Sequence, residues 1–163
     1  MSWVLPYNMF FTPNSKFFEV LKEHYNDAPI LEAGCGVGNT VAKMKAHGKD
    51  HDLAFLKNAR GFDLHERERY DIDMGCFFIA DAMDCMYYHK GLQVMVCRPD
   101  HGGWVSLVLE DFLENNQECK RFIYVGKEEN IQIDLTDAQI ECVSAVWTGV
   151  GQDEEVMMVW EMR

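Results

Sequence analysis

The chain has 163 residues, of which 48% are hydrophobic and 26% are charged, and its formal net charge at pH 7 is −12. This length and composition predict one soluble globular domain, residues 1–163, with one hydrophobic core. The negative charge argues against binding along nucleic acid, because neutralising phosphates needs clustered Lys and Arg side chains. Apolar runs such as Val94–Cys97 are far too short to span a bilayer, and residues 1–11 lack the basic start of a signal peptide. We therefore predict a cytoplasmic protein that does not contact membranes.

Six cysteines are present, and none belongs to a Cys-x-x-Cys pair. They are Cys35, Cys76, Cys85, Cys97, Cys119 and Cys142. Several of them fall within predicted strands, where cysteine commonly acts as a small buried hydrophobic residue of a reducing compartment. The spacing therefore predicts no metal site.

The sequence of residues 1–28 predicts an aromatic arm followed by a helix. The arm, residues 1–11, is rich in aromatic side chains, and we expect it to pack on the core, while a capping role over a binding site stays open. Asn14 or Ser15 can cap a helix that runs to about Tyr25, because both side chains accept hydrogen bonds from first-turn amides.

Strands and helices alternate along the next hundred or so residues. The predicted strands are Pro29–Ala33, Ala59–Asp63, Cys76–Ala80, Leu92–Cys97, Arg121–Val125, Ile140–Trp147 and Val156–Glu161. Helices are predicted from Asn39 to about His47, where Gly48 ends the helix, and over Trp104–Leu113. This alternation predicts an α/β fold with a doubly wound, mostly parallel seven-stranded sheet and helices on both faces.

The last two strands predict an antiparallel hairpin at the end of the chain. The six residues between them, Thr148–Asp153, include two glycines and read as a hairpin loop. Met157, Met158 and Trp160 of the final strand could offer an edge for homo-oligomer formation.

Polar residues follow the first four strands, where ligands bind in sheets of this kind. They are Gly34–Gly38, Asp63, Asp81 and Arg98–His101. The glycines suit a tight turn from strand to helix, because glycine adopts positive φ and leaves the main chain bare. Taken alone, this turn is consistent with no ligand, with a dinucleotide or with another nucleotide cofactor.

The spacing Glu32-x-Gly34-x-Gly36-x-Gly38 favours one of these possibilities. Asn39 stands where the dinucleotide-binding fingerprint has its third glycine. The pattern instead resembles motif I of the class I S-adenosylmethionine-dependent methyltransferases. A seven-stranded sheet that ends in an antiparallel hairpin is similar to that family's fold, and the resemblance covers about residues 29–163.

The resemblance implies S-adenosylmethionine as the cofactor and a position for each part of it. The implied contacts are Glu32 at the methionine amino group; Gly34, Cys35, Gly36 and Gly38 in the turn beneath the methionine part; Asp63 at the ribose hydroxyls; Leu64, Asp81 and Ala82 at the adenine; and Cys97 and Arg98 at the methyl end. Asp63 and Asp81 could also be ordinary solvated turn residues at strand ends.

The loop after the fourth strand, Arg98–Trp104, is where a base for the methyl acceptor is expected. His101 titrates nearest neutrality, and Asp100 could orient it or act directly, so both are candidate catalytic residues. Trp104 could form a pocket wall or anchor the following helix in the core. The loop lacks the Asp/Asn-Pro-Pro-aromatic motif of amino-directed nucleic-acid methyltransferases, which again argues against nucleic acid as the acceptor.

Two functions remain open. The first is a methyltransferase that acts on a small molecule or a protein. The second is a non-catalytic S-adenosylmethionine-binding module, or regulatory partner subunit, on the same fold. The small size of the chain and its unfamiliar loop after the fourth strand motivate the second.

Overall fold

A computed structural model describes residues 11–35, 38–63, 77–79, 91–99, 103–115 and 119–161. The helices are α1 (Ser15–His24), α2 (Asn39–His51), α3 (Ala54–Lys57), α4 (Trp104–Asn115), α5 (Glu128–Asp134) and α6 (Asp137–Glu141). The strands are β1 (Ile30–Ala33), β2 (Arg60–Asp63), β3 (Phe77–Ile79), β4 (Gln93–Cys97), β5 (Arg121–Lys127), β6 (Ala145–Thr148) and β7 (Glu155–Glu161). The α/β class predicted from the sequence is confirmed.

The described strands form one mixed sheet with the order β3-β2-β1-β4-β5-β7-β6. Neighbouring strands from β3 to β5 are parallel, whereas β7 is antiparallel to both β5 and β6. Because of this reversal, β7 begins where β5 ends, and Glu155 pairs with Lys127. The ends of β1, β2, β4 and β5 and the start of β7 therefore share one side of the sheet, which we call the carboxyl edge.

Apolar side chains fill a layer on each face of the sheet. On one face, residues of the strands pack against α1, α2 and α3; this layer includes Phe17, Leu21, Ile30, Met44, Leu56, Met95, Ile123 and Met157. On the other face they pack against α4 and α5; this layer includes Leu31, Val94, Val108, Phe112, Phe122, Ile131 and Trp160. Successive strand residues alternate between the two layers, as the pleat of a sheet requires.

The sequence predicts that helix α2 ends at Gly48, but the helix continues to His51. Asp52 ends it in the left-handed region and donates its N–H to the Gly48 carbonyl. A Cβ atom on Gly48 would lie 2.6 Å from the backbone nitrogen of Lys57. This glycine therefore allows α3 to pack closely against α2, instead of ending the helix.

The predicted strand Ile140–Trp147 is wrong in its first half. Helix α6 runs through Glu141, and β6 begins only at Ala145. Thr136 and Gln139 form a capping box, in which each side chain bonds to the other residue's backbone N–H. Two free amides of the first turn are satisfied in this way, and the helix displaces the predicted strand.

The terminal hairpin supplies the outer strand of the sheet, but the three residues named for an oligomer edge do not lie in that strand. Met157, Met158 and Trp160 lie in β7, which is paired on both sides, and all three are buried. At that end of the sheet the outer strand is β6, where Val146 is exposed.

Residues 11–14 pack against the β6–β7 loop at the carboxyl edge. Pro13 forms an antiparallel bridge with Gly151, and the backbone N–H of Asn14 donates to the Val150 carbonyl at 3.2 Å. Asn14 is also the N-cap of α1, and its side chain accepts from the N–H of Phe17, as predicted. The remainder of the predicted aromatic arm, residues 1–10, lies outside the described residues.

None of the helices in the described ranges combines the length and the apolar composition that a bilayer-spanning helix needs.

Candidate functional site

The turn between β1 and α2 is shaped by two glycines with positive φ. Gly34 has φ +65° and Gly38 has φ +85°, conformations that disfavour residues with a side chain. Between them, the N–H of Cys35 donates to the Phe62 carbonyl, and the N–H of Gly38 donates to the Cys35 carbonyl, both at 2.9 Å. The main chain at Gly34 and Gly38 is therefore bare at the carboxyl edge, immediately before α2 begins.

The indole of Trp104 lies against this turn. A Cβ atom on Gly34 would be 3.1 Å from both Cζ2 and Cη2 of Trp104. The same side chain is half-buried and packs against the apolar layer beneath α4. The indole therefore anchors the start of α4 and lies beside Gly34, and its role as a pocket wall stays a prediction.

A group of polar side chains lies below the turn, on the face of the sheet covered by α1 and α2. Glu32, Thr40 and Glu155 are more than nine-tenths buried, and Cys97 at the end of β4 lies among them. Burial holds the pKa of the Cys97 thiol well above its ordinary value, and the charge and hydrogen bond of Glu32 and the charge of Glu155 raise it further. The thiol is therefore protonated at neutral pH and interacts with the Glu32 carboxylate.

Arg98 links the end of β4 to the β6–β7 loop. Its backbone has φ +44°, and its N–H donates to the Val125 carbonyl at 2.7 Å. Its Nη1 atom lies 3.6 Å from Oδ2 of Asp153 and 3.8 Å from Oε1 of Glu155. The Glu155 carboxylate also accepts from the backbone N–H of Asp153 at 3.0 Å. The guanidinium predicted for the methyl end of the cofactor thus contacts two carboxylates of the terminal hairpin.

Asp153 and Glu155 were not predicted as part of the site. The signal for them is in the sequence, because an antiparallel last strand must start at the carboxyl edge of the parallel strands before it. The acidic run Asp153–Glu155 immediately precedes that strand. Combining the hairpin with the direction of its second strand would have placed these carboxylates near Arg98.

The structure brings together some of the predicted site residues. Glu32, Gly34, Cys35, Gly38, Cys97 and Arg98 all lie at or just below the carboxyl edge. Because Ala33 pairs with Phe62, the next residue of β2, Asp63, lies beside Gly34 on the neighbouring strand. Gly36, Leu64, Asp81, Ala82, Asp100 and His101 lie outside the described residues, so their roles stay predictions. Within the described residues, no three His, Cys, Asp or Glu side chains form a group that could hold a metal ion.

An open cavity of about 810 Å³ lies beyond the end of β5, next to the hairpin loop. Four acidic residues and one lysine are among the residues that line it: Lys127, Glu128, Glu129, Gln132, Thr148, Gly149, Asp153, Glu154 and Val156. Since none of these residues belongs to the glycine turn, the cavity is a neighbour of the candidate cofactor site and not the same place.

The strand order, the reversed β7 and the glycine turn after β1 together define the fold of the class I S-adenosylmethionine-dependent methyltransferases. No protein-family model and no curated protein matches the sequence. Similar solved structures exist, however.

A dimethyladenosine transferase from Plasmodium falciparum has a TM-score of 0.57 and 13% identity, covering 94% of this chain and 63% of that chain. A protein described in connection with the conversion of a disulfide bond into a thioacetal group during echinomycin biosynthesis has a TM-score of 0.56 and 12% identity. The match covers 92% of this chain and 82% of that chain. TrmK from M. capricolum, in complex with S-adenosyl-homocysteine, has a TM-score of 0.53 and 12% identity, covering 91% and 68%.

At these identities the likeness establishes a shared fold. The similar structures also include ErmE, described as a 23S rRNA methyltransferase. The fold of this chain therefore occurs in enzymes that act on RNA, which puts in doubt the argument from the sequence against nucleic acid as an acceptor.

Proposed function

We propose that the chain is an S-adenosylmethionine-dependent methyltransferase that acts on a small molecule or a protein. The observation that carries this proposal is the glycine turn after β1, an inner strand of the sheet. Gly34 and Gly38 have positive φ at the carboxyl edge, and the buried carboxylate of Glu32 lies just before them. TrmK, which has a similar fold, binds S-adenosyl-homocysteine, the demethylated product of this cofactor.

The described residues fit such a cofactor in two respects. The turn has no side chains of its own at Gly34 and Gly38, and Gly38, the N-cap of α2, makes no side-chain hydrogen bond to the first-turn amides. Asp63 is one strand away from Gly34, at a spacing of about 5 Å, so a ribose and a methionine group can bind at neighbouring strand ends.

Each part of the chain has a distinct role in this proposal. The bound cofactor supplies an electrophilic methyl group on a sulfonium. Asp63 accepts hydrogen bonds from the two ribose hydroxyls, and such bonds to a carboxylate are stronger than those between neutral groups. The main chain from Gly34 to Gly38 holds the methionine part, with Leu64, Asp81 and Ala82 at the adenine. His101, oriented by Asp100, takes the proton of the acceptor.

The charge of the protein supports an acceptor that is not an extended nucleic acid. The net charge is −12, and the cavity beside the carboxyl edge is lined by four acidic residues and one lysine. This surface repels a polyanion and favours a neutral or cationic acceptor. RNA nevertheless belongs among the acceptors tested, because ErmE has a similar fold.

A second candidate function is a non-catalytic cofactor-binding module. The contacts of Arg98 favour it, because the cation expected at the methyl end is engaged with Asp153 and Glu155. A protein that binds the cofactor and does not transfer its methyl group would regulate a partner.

Calorimetric titration of the full chain with S-adenosylmethionine and S-adenosyl-homocysteine tests the common basis of both functions. We expect both ligands to bind and Asp63→Ala to weaken each at least about tenfold, as loss of hydrogen bonds to a charged group implies. Asp50→Ala, at an exposed position near the end of α2, is the matched control and should leave binding unchanged. If neither ligand binds the wild-type chain, both functions are refuted.

Transfer of a labelled methyl group separates the two functions. The purified chain is incubated with labelled cofactor and, in separate reactions, with a metabolite mixture, a protein lysate and total RNA. Transfer that is lost in His101→Ala while cofactor binding persists supports the enzyme. Binding without transfer to any of the three, together with a stable partner, supports the module.

A further inference from the structure

Trp104 is placed differently from the other apolar residues of α4. Val105, Val108, Leu109 and Phe112 are fully buried beneath the helix, whereas Trp104 is only half-buried. The benzene-ring atoms Cζ2 and Cη2 of its indole reach the turn after β1 and lie against Gly34. The indole therefore extends from the apolar layer beneath α4 to the glycine turn at the carboxyl edge.

We propose that Trp104 is a specificity-determining wall of the cofactor site and that its indole contacts the sulfonium end of S-adenosylmethionine. This inference rests on the proposed function. The position follows from the order of the strands. With the ribose at Asp63 on β2 and the methionine part over Gly34 on β1, the sulfonium that joins these two parts lies near Gly34, where the indole is.

The chemistry of an indole suits this position. Its π face carries negative charge density, and tryptophan is the aromatic side chain that attracts cations most strongly. S-adenosylmethionine carries a positive sulfonium, whereas S-adenosyl-homocysteine has a neutral thioether. An indole at this point therefore stabilises the cofactor more than its product, which favours exchange of one for the other after each methyl transfer.

The charges below the turn act in the same direction. Glu32 and Glu155 are buried carboxylates, and the Arg98 guanidinium lies 3.8 Å from the Glu155 carboxylate. A cation at the carboxyl edge would thus have the indole on one side and these carboxylates on the other. Replacing Trp104 by an aliphatic residue removes the first contribution and leaves the second.

The test is the ratio of the dissociation constants of the two ligands, measured by calorimetry for wild type, Trp104→Phe and Trp104→Leu. We expect Trp104→Leu to weaken binding of S-adenosylmethionine relative to S-adenosyl-homocysteine by about 2- to 30-fold, the range of a cation–π contact. Trp104→Phe should change the ratio of dissociation constants by a smaller factor. It also keeps the test informative if the leucine variant does not fold. Trp147→Leu, on strand β6, should leave the ratio unchanged.

The possible failures are distinguishable. If both ligands bind and the ratio is the same in all variants, the wall is refuted and the proposed function stands. If Trp104→Leu tightens both ligands equally, the indole occupies the space of the methionine part, which also refutes the proposal. If the wild-type chain binds neither ligand, the proposed function fails and this inference fails with it.

Discussion

Gly34→Ala is the substitution that tests the glycine turn most directly without any ligand. An alanine at φ +65° costs about 1 to 2 kcal/mol, because its Cβ approaches the following carbonyl oxygen in the left-handed region. The new Cβ would also lie 3.1 Å from two atoms of the Trp104 indole. That is roughly half an ångström inside the best carbon–carbon separation of about 3.5 to 4.0 Å.

The contact with the indole should add about 1 kcal/mol, the lower end of the cost of overpacking, because a half-buried ring can shift. We therefore expect Gly34→Ala to lower the free energy of unfolding by about 2 to 3 kcal/mol. Gly91→Ala is the matched control. Gly91 has φ +76°, and an added Cβ would have no atom within 4 Å, so only the backbone cost of about 1 to 2 kcal/mol applies.

Urea denaturation followed by circular dichroism measures these differences, and a double-mutant cycle isolates the contact. In the Trp104→Leu background, Gly34→Ala should lower the free energy of unfolding by about 1 kcal/mol less than it does in the wild type. The effect of Gly91→Ala on the free energy of unfolding should be the same in both backgrounds. The reasoning is refuted if Gly34→Ala and Gly91→Ala are equally destabilising and neither couples to Trp104.

Two further predictions concern other parts of the chain. Iodoacetamide at pH 8, followed by peptide mass spectrometry, should label the exposed Cys142 rapidly in the native protein. Cys119 is buried, and burial raises its pKa to about 11, so rapid labelling of Cys119 would contradict its placement. Arg121→Met should destabilise the protein by about 1 to 3 kcal/mol, because the guanidinium loses two bonds to the half-exposed Asp27 carboxylate, at 2.6 and 3.1 Å, and one to the buried Gln93 side chain, at 3.0 Å. The hydrogen bonds of Arg121 also lower the pKa of Asp27, so this pair stabilises the folded state fully above about pH 4, and the stabilisation is lost as the pH falls through the lower, folded-state pKa. The difference in the free energy of unfolding between wild type and variant should therefore shrink in acid. A difference that grows would contradict this reasoning.

The centre of the sheet could be predicted from the sequence because its strands are buried on both faces. Residues 93–97 and 121–127 are almost continuous apolar runs, and the structure has strands at both places. The glycine turn was predictable for a related reason, since a strand that passes directly into a helix requires unusual backbone angles. These features depend on neighbours in sequence, which a reader of the chain can see.

Features that depend on distant residues were harder to predict. Gly48 suggests a helix end, but its lack of a side chain serves contact with α3. The Trp104 indole meets Gly34 only because α4 begins next to the end of β1, and nothing near either residue in sequence indicates the contact. The capping box of Thr136 and Gln139 is different, because it is a local pattern that was present in the sequence and was overlooked.

The attachment of residues 11–14 to the β6–β7 loop has a consequence for the order of folding. The side-chain amide of Asn14 donates to the carbonyls of Gly149 and Gly151, which lie 135 and 137 residues further along the chain. During synthesis Asn14 emerges from the ribosome before β1 to β5, and Gly149 and Gly151 emerge after them. Residues 11–14 can therefore dock only after the β6–β7 loop has been synthesised, so this part of the carboxyl edge closes after the parallel strands have been made.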